Sequence, residues 1–327
     1  MKFSSWKKEK QQTEQVKLSK PTQDGLPAVY EAFLTKVQLS DWFRHHREEV
    51  LQELRFHGAV LFRRFAVNEV NDFETFVTEA IANTGKYVEG ATPRSNVTEK
   101  VFTSTEFPSE QEIFLHNELS YVMTPPELIS FFCVTPAQQG GHTQLADVRR
   151  VLALIDPEVI TEFEQRGGWS LYRSFGFGMG PPIAKSFGTK DAEHLKHYCK
   201  HANIEILEYS DDRLKTRQTR PAVHIHPHTK EKIWFNHAVF WHPSNLPEEL
   251  STTLARSFRV EDFPFATFYG DGTAIPIEVI EHIRTAYKSA EVMFDWKKGD
   301  VLLIDNHLVA HGRKPFTGNR KVLVAMG

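Results

Sequence analysis

Apolar residues recur along this chain in two rhythms. Trp42, Phe43, Val50, Leu51 and Leu54 form a helical stripe that follows Ser40-Asp41 and stops at His57-Gly58, which predicts a helix to about Phe56 with a capped start and a glycine end. Val70 to about Thr84 repeats the pattern with Phe73, Phe76, Val77 and Ile81 on one face. Between them Ala59-Val-Leu-Phe62 reads as a short strand, and Leu128-Ile-Ser-Phe-Phe-Cys-Val134, behind Pro125 and Pro126, as a longer one. Asp147 to Gln165 and Asp191 to Ala202 look helical, and Pro227 to Glu231 reads as a hairpin turn between Ala222-Val223 and Ile233-Trp234-Phe235. Further on, Gly299-Asp300 turns the chain into an apolar strand that ends at His311, and Gly318-Asn319 turns it into a second strand opening with Arg320. Residues 1–24 are polar and carry no periodicity, which predicts an N-terminal arm outside the folded unit.

Composition narrows the class without naming a function. With 327 residues, 40% of them hydrophobic and 25% charged, the chain can bury one large core or two smaller ones. A net charge of −3 gives no electrostatic footprint for nucleic acid or an anionic membrane. The cysteines are Cys133 and Cys199, which excludes a disulfide framework and fits a reducing compartment. No apolar stretch reaches the roughly twenty residues of a membrane span, and the first ten residues have no apolar signal segment, so a cytoplasmic location is expected.

The candidate chemistry is split across the chain. His116-Asn117-Glu118 lies at the end of a strand-like run, where residues two apart face the same way, and His311 lies almost two hundred residues later. Two imidazoles and one carboxylate can take one face of an octahedral iron(II) and leave three positions open. Among 16 histidines and 42 acidic residues a lone His-x-Glu is a weak signal, so its surroundings have to decide. His224, His226 and His228 also alternate, but Pro227 interrupts them and favours a structural turn over a metal site. Phe175-Gly-Phe-Gly-Met-Gly180-Pro-Pro182 has no Lys-Ser/Thr ending and reads as an aromatic-bearing loop rather than a phosphate loop.

The surroundings are Thr92-Pro-Arg94, Thr103-Ser-Thr-Glu106, Phe131-Phe-Cys133, Gly140-Gly-His-Thr143, Thr216 to Val223, Trp234-Phe-Asn236 and Asp305-Asn306 with Ala310-His311-Gly-Arg313. With these motifs the chain resembles the taurine dioxygenase/TfdA-like branch of the iron(II)- and 2-oxoglutarate-dependent oxygenases, and within it the SyrP-like proteins of peptide natural-product pathways. The resemblance implies a mainly β fold with flanking helices, a double-stranded β-helix or jelly roll. Because both halves of the metal site must meet, residues 25–327 are expected to form a single domain, with a helical N-terminal part and a large insert between His116 and His311.

The resemblance also implies roles. His116, Glu118 and His311 match the iron ligands, while Thr143 and Arg320 match the groups that contact the distal carboxylate of 2-oxoglutarate. An arginine fork suits a carboxylate because it donates two parallel charge-assisted hydrogen bonds. Arg320 stands nine positions after His311, and Arg313, two positions after it, is the competing candidate. Many relatives carry Asp where Glu118 stands, and the presence of any carboxylate favours oxygenation over halogenation. The implied reaction consumes O2 and 2-oxoglutarate to hydroxylate an unactivated carbon of an amino acid, free or carried as a thioester on a peptidyl carrier domain. Arg94, Asn96, Asn236, Arg313 and Asn306 are candidate polar contacts for that substrate. Desaturation or epoxidation would use the same iron site, and a cupin-type hydrolase or isomerase using zinc or manganese would use the triad without Thr143 and Arg320.

Overall fold

The computed structural model describes residues 15–21, 25–34, 36–82, 84, 88–90, 94–105, 107–176, 182–210 and 213–327. Thr92, Pro93, Glu106 and residues 177–181 of the aromatic loop, all singled out above, lie outside them.

A seven-stranded sheet is the backbone of the fold. Its order is β1 (Val16–Ser19), β2 (Ala28–Ala32), β3 (Ala59–Arg63), β16 (Val301–Asp305), β6 (Leu128–Thr135), β19 (Lys321–Met326) and β4 (Phe102–Thr103). All neighbours run antiparallel except β2 and β3. Facing it is a four-stranded antiparallel sheet in the order β15 (Glu291–Phe294), β8 (Thr143–Asp147), β17 (Val309–Arg313) and β5 (Ile113–His116), and β7 (Gln139–Gly140) pairs with β18 (Phe316–Thr317) as a short ribbon.

The large sheet is buried on both faces, which is why its inner strands are almost uninterrupted apolar runs. Successive side chains then sort to opposite sides. Val60, Phe62, Phe132, Val301, Leu303, Leu323 and Ala325 pack outward on helices α1 (Leu39–His57) and α2 (Val70–Ala80), against Phe43, Val50, Leu54, Phe73, Phe76 and Val77. Leu61, Ile129, Phe131, Cys133, Leu302, Ile304, Val322 and Val324 point the other way, into the sandwich with Leu145 and Val309. The outward layer is knitted by aromatic contacts such as Phe73 on Phe132, with ring centroids 5.3 Å apart. Truncating one such ring to alanine costs about 3–5 kcal/mol.

Several sequence expectations change in detail. α1 starts at Leu39 after Gln38, with no side-chain cap, and ends at Gly58 in the left-handed conformation (φ 74°). α2 is shorter than the pattern implied and ends at Ala80, although Phe73, Phe76, Val77 and Ile81 are all buried. The stretch read as one helix from Asp147 is two, α3 (Val148–Leu154) and α4 (Pro157–Gln165), broken where Pro157 starts the second. Part of the presumed N-terminal arm, Val16–Ser19, is the edge strand β1, whose backbone pairs with β2 and needs no apolar pattern of its own.

The insert holds more strand than its pattern suggested. Besides α5 (Ile183–Phe187), α6 (Ala192–His201), α7 (Glu248–Ser257) and α8 (Ile277–Ala290) it carries a four-stranded antiparallel sheet, β10 (Ile204–Tyr209), β11 (Leu214–Arg220), β9 (Trp169–Phe175) and β14 (Phe265–Tyr269). β11 alternates with mostly polar residues on its buried face, where Leu214 is followed by Thr216, Gln218 and Arg220. The hairpin expected at Pro227–Glu231 is present between β12 (Val223–Ile225) and β13 (Lys232–Trp234).

Candidate active site

Register brings the distant histidines together. β17 pairs with β5 so that His311 lies directly opposite His116, and their rings are 4.6 Å apart between centroids. β5 ends at His116, and Glu118 sits in the turn that follows rather than on the strand. Its carboxylate still reaches the same point, with Oε2 4.0 Å from His116 Nε2 and 3.8 Å from His311 Nε2. These three donor atoms lie within 4.8 Å of one another and form the group of metal donors found among the described residues. Close strand approach is required here, since a Cβ on Gly312 would meet Ile113 O at 2.6 Å.

Each donor is oriented by a neighbour. His116 Nδ1 donates to Phe114 O at 2.8 Å, a carbonyl that can only accept, which leaves the Nε2 lone pair for a metal. Burial pushes the His116 imidazole below its usual 6.5 and the His311 imidazole well below it, so both stay neutral. Arg94 donates to Glu118 Oε2 at 2.6 Å, both side chains being buried. That ion pair makes Arg94 a partner of the candidate ligand rather than a bare contact for substrate.

Asn306 fixes the turn. Its Oδ1 accepts from Glu118 N at 2.8 Å while its Nδ2 donates to Glu118 O at 2.9 Å and to Pro126 O, and Asn117 Nδ2 donates to Asn306 O. The amide is fully used on backbone, so Asn306 is a lock on the turn and not the substrate contact it was read as. Leu119, next to Glu118, is held at φ +52°, a conformation such a lock can sustain. Asp305 Oδ1 accepts from His307 N, which ends β16 and starts a turn into β17 in the opposite sheet. The single strand expected from Gly299 to His311 is therefore two, in facing sheets, and this crossing carries His311 to His116. Behind it, His226 is wholly buried with Nε2 3.1 Å from Asp305 Oδ2, the structural role expected of that histidine row.

One tight cavity is lined by Arg94, Ser104, Thr105, His116, Phe131, Thr143, His311, Arg313 and Arg320 among others. A larger one, about 730 Å³ and bounded by Arg55, His57, Asp147 and Arg149, has no converging metal donors, and its Arg149 is spent on Asp147, Glu231 and Phe56 O. The two rival arginines differ sharply. Arg313 donates to three backbone carbonyls, Phe107 O at 3.1 Å, Pro108 O at 2.6 Å and Gln111 O at 2.7 Å, and so staples a loop. Arg320 gives only its Nε, to Gly141 O at 3.1 Å, and no carboxylate pairs with it among the described residues. Burial, with Arg313 nearby, lowers its pKa to about 10, which still leaves it charged at neutral pH. Gly141, at φ +68°, permits this packing, since a Cβ there would lie 3.1 Å from Arg320 Cδ.

Two other candidates fall away from the cavity. Asn236 is buried with Nδ2 on Ala222 O and Oδ1 on Ala238 N, a backbone-bracing role. Asn96 is exposed and makes an isolated backbone bridge to Phe102. On the other side of His116 stand Phe240, which carries no assignment from sequence, 4.6 Å away between ring centroids, and His237, 5.7 Å away and bonded through Nδ1 to Ser120 Oγ at 2.5 Å. His237 and His242 follow Asn236 in an aromatic run that is expected from sequence to place one of them at a substrate pocket.

The model of the family described as taurine catabolism dioxygenase TauD, TfdA matches residues 19–326. The chain belongs to this family. It is 37% identical over 310 residues to the dapdiamide synthesis protein DdaC of Enterobacter agglomerans, covering 94% of this chain and 93% of that one. It is 30% identical over 294 residues to a clavaminate synthase-like protein of Arabidopsis thaliana, covering 86% and 84%. Among solved structures, PvcB of Pseudomonas aeruginosa matches with a TM-score of 0.55 at 18% identity, over 95% of this chain and 91% of that one. The fold is thus the double-stranded β-helix of this family, and the enzyme is a dioxygenase whose reaction uses iron(II), 2-oxoglutarate and O2. Its donor set fits that metal, being two neutral imidazoles and a carboxylate around one point. No helix among the described residues is long and apolar enough to cross a membrane.

Proposed function

We propose that the enzyme hydroxylates an unactivated carbon of an amino acid or amino-acid derivative, free or tethered to a peptidyl carrier domain, during assembly of a natural product in the cytoplasm. His116, Glu118 and His311 hold the iron, and Thr143 with Arg320 grips the distal carboxylate of 2-oxoglutarate. The observation that carries this reading is that Arg320, with most of its guanidinium unspent, and Thr143 line the same cavity as His116 and His311. The pathway class is supported by likeness, over nearly the whole chain, to a dapdiamide synthesis protein. The free, buried cysteines Cys133 and Cys199 are in keeping with a reducing compartment.

Bound iron(II) and 2-oxoglutarate supply the oxidising power, with the co-substrate decarboxylated to succinate and carbon dioxide as one oxygen atom goes to the substrate. The chain's own residues bind, orient and exclude water. Arg94 aims the Glu118 carboxylate, and the Asn306 amide holds the turn that presents it. Phe131 packs on the His311 ring at 5.2 Å and Phe240 on His116, which walls the donors from solvent.

The test begins with anaerobic titration of iron(II) and 2-oxoglutarate, where a weak visible charge-transfer band is expected. Its absence in reconstituted protein would send the assignment to a metal-dependent hydrolase. Succinate release is then measured with free amino acids and with the same amino acids loaded on a carrier domain. A product one oxygen heavier is the expected outcome, and one two hydrogens lighter would make the enzyme a desaturase.

A further inference from the structure

Thr143 is hydrogen-bonded in a way that fixes what its hydroxyl can do. The indole Nε1 of Trp296 lies 2.9 Å from Thr143 Oγ1, and both side chains are buried. An indole N–H can only donate, so Thr143 Oγ1 is the acceptor in this bond. The hydroxyl proton is left over, and among the described residues no protein acceptor takes it. Thr143 and Arg320 line the same cavity, so that proton and the guanidinium are donors to one small volume.

The tryptophan is itself held from two directions. Trp296 follows β15, whose Phe294 pairs with Thr143 across the ladder and packs on the indole with centroids 4.8 Å apart. The turn beyond it is closed by Asp300, which accepts from Arg63 Nε at 3.1 Å, from Arg63 Nη2 at 2.7 Å and from Lys297 N at 2.8 Å, while Arg63 also donates to Asp295 O. Arg63 ends β3 in the large sheet, so the indole position is tied to the main framework rather than to a free loop.

We propose that Trp296 is a positioning residue for co-substrate binding, and that its N–H commits the Thr143 hydroxyl to donating into the cavity, toward an acceptor that carries no proton of its own. A carboxylate between that hydroxyl and Arg320 meets the requirement, whereas an alcohol or amide in the same place does not use both donors as well. The proposal rests on the assignment of Thr143 and Arg320 to the distal carboxylate of 2-oxoglutarate.

The experiment is a double-mutant cycle on iron-loaded protein under anaerobic conditions, with 2-oxoglutarate and, separately, pyruvate titrated by calorimetry. Trp296→Phe keeps an aromatic ring and removes the N–H, and Trp296→Met replaces it in the cycle if the Phe variant does not fold. Expected is a 2-oxoglutarate Kd raised about two- to tenfold, the range of one neutral hydrogen bond, with iron affinity unchanged. Pyruvate, which lacks the distal carboxylate, should bind the variant as it binds the parent. In a Thr143→Val background the tryptophan substitution should add nothing further. Additive losses, or an equal loss for pyruvate, would overturn the proposal and make Trp296 a packing residue. If Thr143→Val alone leaves 2-oxoglutarate binding intact, the underlying assignment of Thr143 is what fails.

Discussion

The two sides of the metal-donor cluster are built differently. On one side Thr143, Arg313 and His311 stand on adjacent strands, with Arg313 opposite Thr143 and His311 opposite Leu145, and Arg320 opens directly into β19. On the other side Ser120, His237 and Phe240 lie in irregular turns, joined by side-chain bonds and ring contacts. Ladder hydrogen bonds fix the first set to within the register of a sheet, while turns can change shape without unpairing a strand. On the proposed assignment, the strand side serves one unvarying co-substrate and the turn side a substrate that differs from one enzyme to another.

The most severe way to break this contrast is to remove what both sides share. His116→Ala or His311→Ala should abolish iron-dependent succinate formation in a protein that still folds, and Glu118→Ala should abolish hydroxylation. Retained turnover in any of the three would sink the donor assignment. Next in size is the exchange of arginine for lysine on the strand side. Arg320→Lys should weaken 2-oxoglutarate binding by about tenfold, the loss of one charge-assisted bond, with iron affinity unchanged. Arg313→Lys should leave that binding alone and instead lower stability by about 2 kcal/mol, because its three carbonyl partners lose a fixed fork. A reversed pattern would hand the clamp to Arg313.

On the turn side, Phe240→Ala should raise the substrate KM several-fold while 2-oxoglutarate binding stays within about twofold. Equal effects on both ligands would erase the distinction drawn above. The smallest effect expected is on pH dependence. Burial lowers the pKa values of His116, His237 and His311 below 6.5, so as pH falls beneath that value the unfolded chain takes up protons that these three sites refuse. Metal-free protein should therefore lose stability as pH falls below about 6.5, and a melting temperature flat across that range would contradict the buried, neutral donor site.

Legibility in the sequence followed the polarity of what is buried. Apolar stripes marked α1, α2, β3 and β6 because each places Phe, Val, Leu or Ile against a core. The same logic failed for β11, whose inner face after Leu214 is Thr216, Gln218 and Arg220, with Gln218 and Arg220 both donating to Tyr121 O. Among site residues, Asn236 and Asn306 were recognisable as important but not as braces, since an amide bonded to backbone and an amide facing a ligand look alike in one dimension. Trp296 stands three residues before the Gly299-Asp300 turn, and nothing in its spacing pointed to Thr143.

By itself the sequence determined which groups were available: two histidines and a carboxylate suited to iron, a threonine, two candidate arginines, and strands apolar enough to be buried on both faces. Only the tertiary structure decided which were free to act. It set His116 opposite His311 through strand register, paired Arg94 with Glu118, and spent Arg313 on three carbonyls while leaving most of Arg320 unspent. The physical reason is that a side chain's chemistry is written in its residue type, whereas its remaining hydrogen-bonding capacity is what the fold leaves over after buried backbone groups have been satisfied.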